Sequence, residues 1–214
     1  MSILTTAPAP RIAVLALQGG VAEHVAMLES LGAEALVVRS PRSLAAAAAD
    51  GLVLPGGESS TVDRLLRRFG MREPLIELLD GGLPVLGTCA GLITLAEVIR
   101  DPAPGQQSLG LIPMTVRRNA FGRQVDSATE TLDSALGPVK AAFIRAPEVV
   151  SVRAGVEILA RRGTGVDGDG PIVAVGTGQA IALSFHPELT GDTTFHGEFL
   201  RRVRAAKLDG VQGR

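Results

Sequence analysis

The sequence predicts a three-layer α/β fold, in which a mostly parallel central sheet is flanked by helices and continues into a mixed or antiparallel extension in the C-terminal half. Short apolar runs alternate with helical stripes over residues 11–100, as in parallel strands joined by helical crossovers. Beyond residue 105, several strand-like runs follow one another without helices between them. Hydrophobic residues make up 46% of the chain and aromatic residues only 3%, so aliphatic side chains must build the core, as in strands covered on both faces.

In the first half, each strand-like run stops at a turn and a helical pattern follows it. The predicted strands are Arg11–Leu17, Glu34–Arg39, Gly51–Leu54 and Leu83–Leu86, and the predicted helices are Val21–Leu31, Pro41–Ala49, Ser59–Phe69, Glu73–Leu79 and Leu92–Glu97. Ligands of open α/β sheets bind outside the carboxyl ends of the strands. We therefore expect the loops that carry Gln18, Gly57, Cys89 and, further along, His186 to share one rim.

The second half begins after a Pro- and Gly-rich loop, Asp101–Gln107, whose composition we interpret as variation in a surface loop. The predicted strands here are Leu111–Arg117, Gln124–Leu132, Val139–Arg145, Val156–Arg161, Ile172–Thr177 and Ala180–Phe185, and a last helix covers Thr193–Ala206. No long linker interrupts the pattern. The sequence therefore predicts a flexible lead over residues 1–10, a single domain over 11–208 and a flexible tail over 209–214.

Charge and cysteine content exclude several functional classes. The chain has 21 basic and 22 acidic residues, a net charge of -1, which argues against nucleic acid or an anionic membrane surface as a partner. A single cysteine cannot form an internal disulfide or, by itself, a zinc site, so we expect no metal and a reducing, cytoplasmic location. We also expect neither a signal peptide nor a transmembrane segment.

The only cysteine, Cys89, lies in the segment Gly87–Gly91, between an apolar run and a helical pattern. A strand, a tight turn and a helix in this order would present the thiol at a helix N-terminus, where backbone N–H groups favour a thiolate. A buried structural cysteine and a redox-sensing thiol are the alternatives. The position between small residues on a turn favours a nucleophile.

Downstream, Ser184–Glu188 places His186 and Glu188 at the end of another predicted strand. With Cys89 they form a candidate Cys-His-Glu triad, in which histidine takes the thiol proton and the carboxylate orients the imidazole. The other two histidines, His24 and His196, fall within predicted helices and compete poorly for the role of base. His24 remains a candidate for an interface near the Gln18 loop.

The segment Pro55–Thr61 allows two interpretations. It can be a strand-ending turn followed by Ser/Thr capping of a helix. Alternatively, its glycines let backbone amides approach a reacting carbonyl, so that the N–H groups of Gly57 and Ala90 form an oxyanion hole. It lacks the Gly-Lys-Ser/Thr ending of a phosphate loop, which disfavours nucleotide binding.

Two polar clusters end predicted strands, Arg117–Gln124 and Phe143–Pro147. Most arginines are surface residues, but a guanidinium can bind both oxygens of a substrate carboxylate.

Together these segments resemble class I glutamine amidotransferases, with their flavodoxin-like sheet, and more narrowly the glutaminase subunits of pyridoxal 5'-phosphate synthases. The matching segments are Leu15–Gly19, Leu54–Ser59, Gly87–Leu92, Arg118–Gln124, Phe143–Pro147 and Ser184–Thr190. The cysteine and His-Pro-Glu segments indicate only the wider class. The arginine-bearing segments make the resemblance specific.

The resemblance implies that Cys89, His186 and Glu188 hydrolyse L-glutamine to L-glutamate and ammonia without a cofactor. The positions that it assigns to glutamine contacts are Gly57, Glu58, Ser59, Arg118, Ile144 and Arg145. We expect Arg118 to pair with the α-carboxylate and Glu58 with the α-ammonium. A separate barrel-shaped synthase subunit would receive the ammonia in a large hetero-oligomer for vitamin B6 biosynthesis, docked near Gln18, Gly19 and His24.

Two other functions stay open at this point. A glutaminase for a different acceptor, such as an imidazole-forming cyclase, would keep the triad and change the docking surface. A non-catalytic thiol sensor on the same scaffold would have no use for His186, Glu188 or Arg118.

Overall fold

A computed structural model describes residues 8–118, 120 and 128–212 of the chain. Within these residues the strands are Arg11–Leu15 (β1), Glu34–Val38 (β2), Gly51–Leu54 (β3), Val85–Thr88 (β4), Ala96–Arg100 (β5), Ile112–Arg117 (β6), Ala128–Ser134 (β7), Gly137–Phe143 (β8), Glu148–Val152 (β9), Glu157–Arg161 (β10), Ile172–Gly176 (β11) and Ala180–Leu183 (β12). The α-helices are Val21–Ser30 (α1), Pro41–Ala47 (α2), Ser59–Arg68 (α3), Arg72–Asp80 (α4), Ala90–Leu95 (α5) and Thr194–Gln212 (α6), and Pro187–Leu189 forms a short 3₁₀ helix.

The strands form one sheet with a parallel and an antiparallel part. Strands β2, β1, β3, β4 and β12 lie side by side in this order, and each neighbouring pair is parallel. From β12 the sheet continues through antiparallel neighbours β11, β10, β7 and β8, while β9 joins β11 to β6 and β5. The predicted α/β class, with a mostly parallel sheet and an antiparallel C-terminal extension, is confirmed.

The sheet separates two apolar layers. Along β1, Ala13 packs with residues of α2 to α5, whereas its neighbours Ile12 and Val14 pack with α1 and α6. This alternation follows from the two-residue period of a strand, which sends successive side chains to opposite faces. The second layer holds Phe195 and Phe199, fully buried on α6. Helices on both faces complete the three predicted layers.

Pairing in the C-terminal half corrects several predicted boundaries. The helix after Cys89 ends at Leu95 instead of Glu97, because the following residues form β5 and pair in parallel with β6. Strand β9 was not predicted, and it bridges β6 and β11. The strand predicted from Gln124 is described only from Ala128 onward.

The structure describes only the inner residues of the predicted lead and tail. Helix α6 continues to Gln212, so residues 209–212 of the predicted tail are helical. Within the predicted lead, Pro10 is buried and its carbonyl accepts a hydrogen bond from the Glu34 N–H at 2.9 Å. Residues 1–7 and 213–214 lie outside the described residues. Among the described helices, none combines the length and apolar character that crossing a bilayer requires.

Candidate active site

Cys89 occupies a strained turn between β4 and α5. Its φ of 49° and ψ of -98° put a non-glycine residue at positive φ, a conformation that few L-residues adopt and that clusters at functional sites. The flanking glycines make the turn possible, since a Cβ at Gly91 would overlap the carbonyl oxygen of Leu54 on the neighbouring strand. A Cβ at Gly87 would lie 2.7 Å from the carbonyl carbon of Gly91. The small residues around Cys89 are therefore required by backbone packing.

His186 reaches the cysteine because β12 lies directly beside β4. The two strands are parallel, and Leu183 pairs with Thr88, so the residues that follow them emerge at the same edge. His186 and Cys89 line the same cavity, and Nδ1 of His186 lies 2.7 Å from Oε1 of Glu188. The backbone N–H of His186 donates to the Ala142 carbonyl, which ties the segment to the antiparallel part of the sheet. The structure thus brings the three predicted triad residues together.

The electrostatics of the triad favour a charged imidazole. Burial lowers the pKa of His186, but hydrogen bonds to Cys89 and Glu188 and their negative charges outweigh burial and raise the pKa to about 10. Burial raises the pKa of Glu188, but hydrogen bonds from His186 and His24 outweigh that effect and leave the pKa well below its usual range. Glu188 is therefore a carboxylate that can hold an imidazolium in place.

His24 and His196 lie behind the triad, which sequence reasoning did not predict. His24 is fully buried, with Nε2 3.0 Å from Oγ1 of Thr88 and 3.4 Å from Oε1 of Glu188. Its Nδ1 lies 2.9 Å from Nε2 of His196, also fully buried. The prediction that His24 offers a docking contact is wrong, because its side chain packs against the triad carboxylate inside the fold. The two histidines are 172 residues apart in sequence, so no local sequence pattern predicts their contact.

Burial dominates the ionisation of His196. Burial, with a smaller effect of the nearby His24, lowers the pKa of His196 to about 3, so His196 is neutral near pH 7. A carboxylate only accepts hydrogen bonds, so the His24 proton that faces Glu188 sits on Nε2. On the other side of the ring, Nδ1 of His24 shares a hydrogen bond with Nε2 of His196. This chain of contacts extends from Glu188 to α6.

The loop that carries the predicted oxyanion residue Gly57 is hydrogen-bonded to the Gln18 loop. The N–H of Gly20 donates to the carbonyl of Gly56 at 3.1 Å, and the Glu58 N–H donates to Oε1 of Gln18 at 2.7 Å. A Cβ on Gly56 would overlap the ring of His186. Glycine there lets the loop lie directly against the candidate base. Ala90 follows the candidate nucleophile as the first residue of α5.

The remaining predicted contacts line the same cavity of about 470 Å³. The residues around it include Gln18, Gly19, Gly57, Glu58, Ser59, Cys89, Arg118, Ile144, Arg145, His186 and Glu188. Strand ends from both halves of the sheet supply these side chains. The predicted common rim is thus present, with Arg118 following β6 and Ile144 following β8.

A charged pair lies at one side of the cavity. Nη2 of Arg118 donates to Oε1 of Glu58 at 2.9 Å. Glu58 also caps α3, accepting hydrogen bonds from the backbone N–H groups of Ser60 and Thr61. Burial raises the pKa of Glu58, but hydrogen bonds from Ser60 and Thr61 outweigh it and lower the pKa to about 2. A cation and an anion therefore face the space beside the candidate nucleophile.

Two further outcomes concern the arginine-bearing segments. Within Arg118–Gln124, Asn119 and residues 121–124 lie outside the described residues, so only Arg118 and Ala120 can be placed. Arg145 has a φ of 46°, and with Ile144 it lines the cavity as predicted. Gln106, in the loop interpreted as surface variation, instead contacts Arg118 and Ser59. In the described part of the chain, no group of three or more His, Cys, Asp or Glu side chains is placed to hold a metal ion.

Comparisons with known proteins identify the family of this chain. The family model described as "SNO glutamine amidotransferase family" matches residues 14–205. A Kineococcus radiotolerans protein named "Pyridoxal 5'-phosphate synthase subunit PdxT" is 55% identical over 93% of this chain and 97% of its own length. The Streptomyces avermitilis protein of the same name is 54% identical, over 92% of this chain and 95% of its own.

Solved structures show the same fold. One described as "Crystal structure of glutamine amidotransferase" superposes with a TM-score of 0.81 and 42% identity, covering 90% of this chain and 98% of that one. A second, PurLQS from Thermotoga maritima, has a TM-score of 0.62 and 18% identity, over 95% of this chain and 99% of that one, so it supports the fold alone. The resemblance drawn from the sequence motifs is confirmed. By the match of its family model and the identity of its relatives, the chain belongs to the SNO glutamine amidotransferase family, alongside PdxT subunits of pyridoxal 5'-phosphate synthases.

Proposed function

We propose that this chain is the glutaminase subunit of a pyridoxal 5'-phosphate synthase, hydrolysing L-glutamine and supplying the ammonia for vitamin B6 biosynthesis. The observation that carries the proposal is Cys89 at positive φ on a strand-to-helix turn, in the same cavity as His186, whose Nδ1 lies 2.7 Å from Oε1 of Glu188. A thiol, a base and an orienting carboxylate in this order support nucleophilic amide hydrolysis.

The reaction divides into two steps with one covalent intermediate. Sγ of Cys89 attacks the side-chain amide carbon of glutamine, and the negative charge on oxygen faces the backbone N–H groups of Gly57 and Ala90. His186 donates its proton to the departing nitrogen, the C–N bond breaks, and ammonia leaves behind a glutamyl thioester. Water, deprotonated by His186, then attacks the thioester carbon, and the C–S bond breaks to release glutamate and restore the thiolate–imidazolium pair.

The charged pair beside the cavity suits the zwitterionic end of the substrate. Arg118 offers a guanidinium to the α-carboxylate, and Glu58 offers a carboxylate to the α-ammonium. In the substrate-free protein each satisfies the other at 2.9 Å. Binding of glutamine would replace the Arg118–Glu58 ion pair with two ion pairs, one from each residue to the substrate. Ile144 and Arg145 then close the side of the cavity that faces the antiparallel part of the sheet.

Release of ammonia makes a partner necessary, because free ammonia is protonated in water and diffuses away. We therefore assign the acceptor to a separate barrel-shaped synthase subunit, docked over the Gln18–Gly19 loop. This loop supports the assignment because it lines the cavity and its Gln18 side chain holds the Glu58 N–H beside the oxyanion residue Gly57.

The test is glutamate release by wild type and Cys89→Ala, each with and without the synthase barrel subunit. We expect wild type with its partner to release glutamate and the variant to lose at least about 10³-fold in rate, because a triad acts as a unit. Equal rates in the two proteins would overturn the nucleophile and favour a thiol sensor. If glutamate is released but only an imidazole-forming cyclase uses the ammonia, that cyclase, and not the barrel subunit, is the acceptor.

A further inference from the structure

Gln106 lies behind the candidate substrate arginine, in the loop between β5 and β6. Its Oε1 accepts hydrogen bonds from Nη1 of Arg118 at 2.7 Å and from the backbone N–H of Ala103 at 3.1 Å. Its Nε2 donates to Oγ of Ser59 at 3.1 Å. The side chain thus joins two residues of the cavity wall, although Gln106 itself does not line the cavity.

The orientation of the Gln106 amide is determined by its partners. A guanidinium and a backbone N–H can only donate, so the amide oxygen must face Arg118 and Ala103. The NH₂ group consequently faces Ser59, whose hydroxyl oxygen can accept. A flipped amide would set donor against donor at two contacts. Only one rotamer state of the Gln106 amide therefore satisfies this corner of the site.

The loop that carries Gln106 is anchored to three helices. The Gln107 N–H donates to Oδ2 of Asp63 on α3 at 3.1 Å, and the Leu109 N–H donates to the Thr94 carbonyl on α5 at 2.7 Å. Arg72 on α4 donates to the carbonyl of Ser108 at 2.7 Å. Because these contacts fix the loop backbone, Gln106 holds Arg118 against a rigid support.

Resting on the proposed glutaminase function, we propose that Gln106 is a positioning residue that sets Arg118 for the α-carboxylate of glutamine. Both terminal nitrogens of the Arg118 guanidinium donate hydrogen bonds, Nη2 to Glu58 and Nη1 to Gln106. These contacts use two of its five N–H donors and leave the others for a ligand. When the α-ammonium of glutamine engages Glu58, Gln106 keeps the guanidinium in place. Without Gln106, the binding of glutamine must itself order the long, flexible side chain of Arg118, at a cost in conformational entropy.

The neighbouring Gln107 supplies a matched control, because its side chain is exposed while its backbone makes the anchoring contact. In the assembled synthase, we expect Gln106→Ala to raise the KM for glutamine about tenfold, the value of one hydrogen bond to a charged group, with kcat within about twofold of wild type. Gln107→Ala should keep both parameters. Gln106→Glu, which keeps the acceptor for Arg118 and loses the donor to Ser59, should restore most of the affinity.

The cycle with Arg118→Ala separates positioning from general destabilisation. Adding Gln106→Ala to Arg118→Ala should raise KM no further, since the two residues act through one contact. A KM for Gln106→Ala equal to that of Gln107→Ala, or an additive effect in the double variant, would overturn the proposal. An inactive wild-type assembly would instead overturn the proposed function. Calorimetric titration of L-glutamine into Cys89→Ala, with and without Gln106→Ala, would then decide the role of Gln106 in binding alone.

Discussion

At the level of single residues, burial and pairing have opposite effects on the charges of the candidate triad. Burial alone would make both His186 and Glu188 neutral, yet each shifts the other toward its charged form. His24 adds a second hydrogen-bond donor to Glu188, with Nε2 3.4 Å from the same oxygen, Oε1. Both histidines thus contact one oxygen of the carboxylate, and His186 links it to the cavity that holds Cys89.

The raised pKa of His186 depends on its partners, so removing one should lower it. We expect the imidazole of wild type to titrate near pH 10, and that of Cys89→Ala to titrate at lower pH, because the contact with Cys89 is the largest effect that raises the pKa. Glu188→Gln should also lower it. The chain has three histidines, so ring-carbon NMR signals can be assigned by substitution. An unchanged titration in both variants would contradict the assigned cause.

The same shift makes stability depend on pH. A raised folded-state pKa means that the native protein binds more protons than the unfolded chain between pH 6.5 and about 10. The stabilisation from His186 is therefore complete below pH 6.5 and is lost as pH rises toward 10. Urea unfolding at pH 6.5 and 9.5 should show this loss, and Glu188→Gln should show a smaller one. Equal losses in the two proteins would contradict the linkage.

At the level of elements, glycines at the carboxyl ends of strands let backbone segments approach side chains and one another. Gly91, on the first turn of α5, faces the Leu54 carbonyl at the end of β3, and Gly56 faces the ring of His186. The Cys89 segment could be predicted from the sequence because strand, small residues and helix form a local pattern. Strand β5 could not, since helix formation through Glu97 was overridden by pairing of β5 with β6, a contact between separate segments.

The two glycines Gly91 and Gly197 should respond in opposite directions to a methyl group. In Gly91→Ala, the new Cβ overlaps the Leu54 backbone oxygen, which cannot rotate away, so we expect a loss of about 2–4 kcal/mol in unfolding free energy. Gly197 lies in α6 with no atom near its Cβ position, so Gly197→Ala should stabilise the protein by about 0.5–1 kcal/mol. Denaturant unfolding measures both. Equal effects would show that helix propensity, and not the close approach, governs Gly91.

At the level of the whole molecule, the cavity forms where the parallel and antiparallel parts of the sheet meet. The parallel strands contribute the Gln18 loop, Gly57, Cys89 and His186, as the switch-point rule predicts. The antiparallel part contributes the ends of β6 and β8, which bring the arginines. The sequence predicted which loops meet, because strand order follows from the alternating pattern. It did not predict how Gln106, His24 and His196 support them, because those contacts join residues far apart in sequence or in irregular loops.

Helix α1 follows the Gln18 loop, so its exposed face should take part in docking to the synthase barrel. Ala22 is exposed in its first turn, whereas Ala46 is exposed on α2, which packs on the opposite face of the sheet. We expect Ala22→Arg to raise at least tenfold the barrel concentration that gives half-maximal glutaminase activity, since a bulky charge must be desolvated or excluded at the interface. Ala46→Arg, with the same change in charge and size, should leave that concentration unaltered. If the two variants need the same barrel concentration as wild type, the docking face lies elsewhere on the molecule.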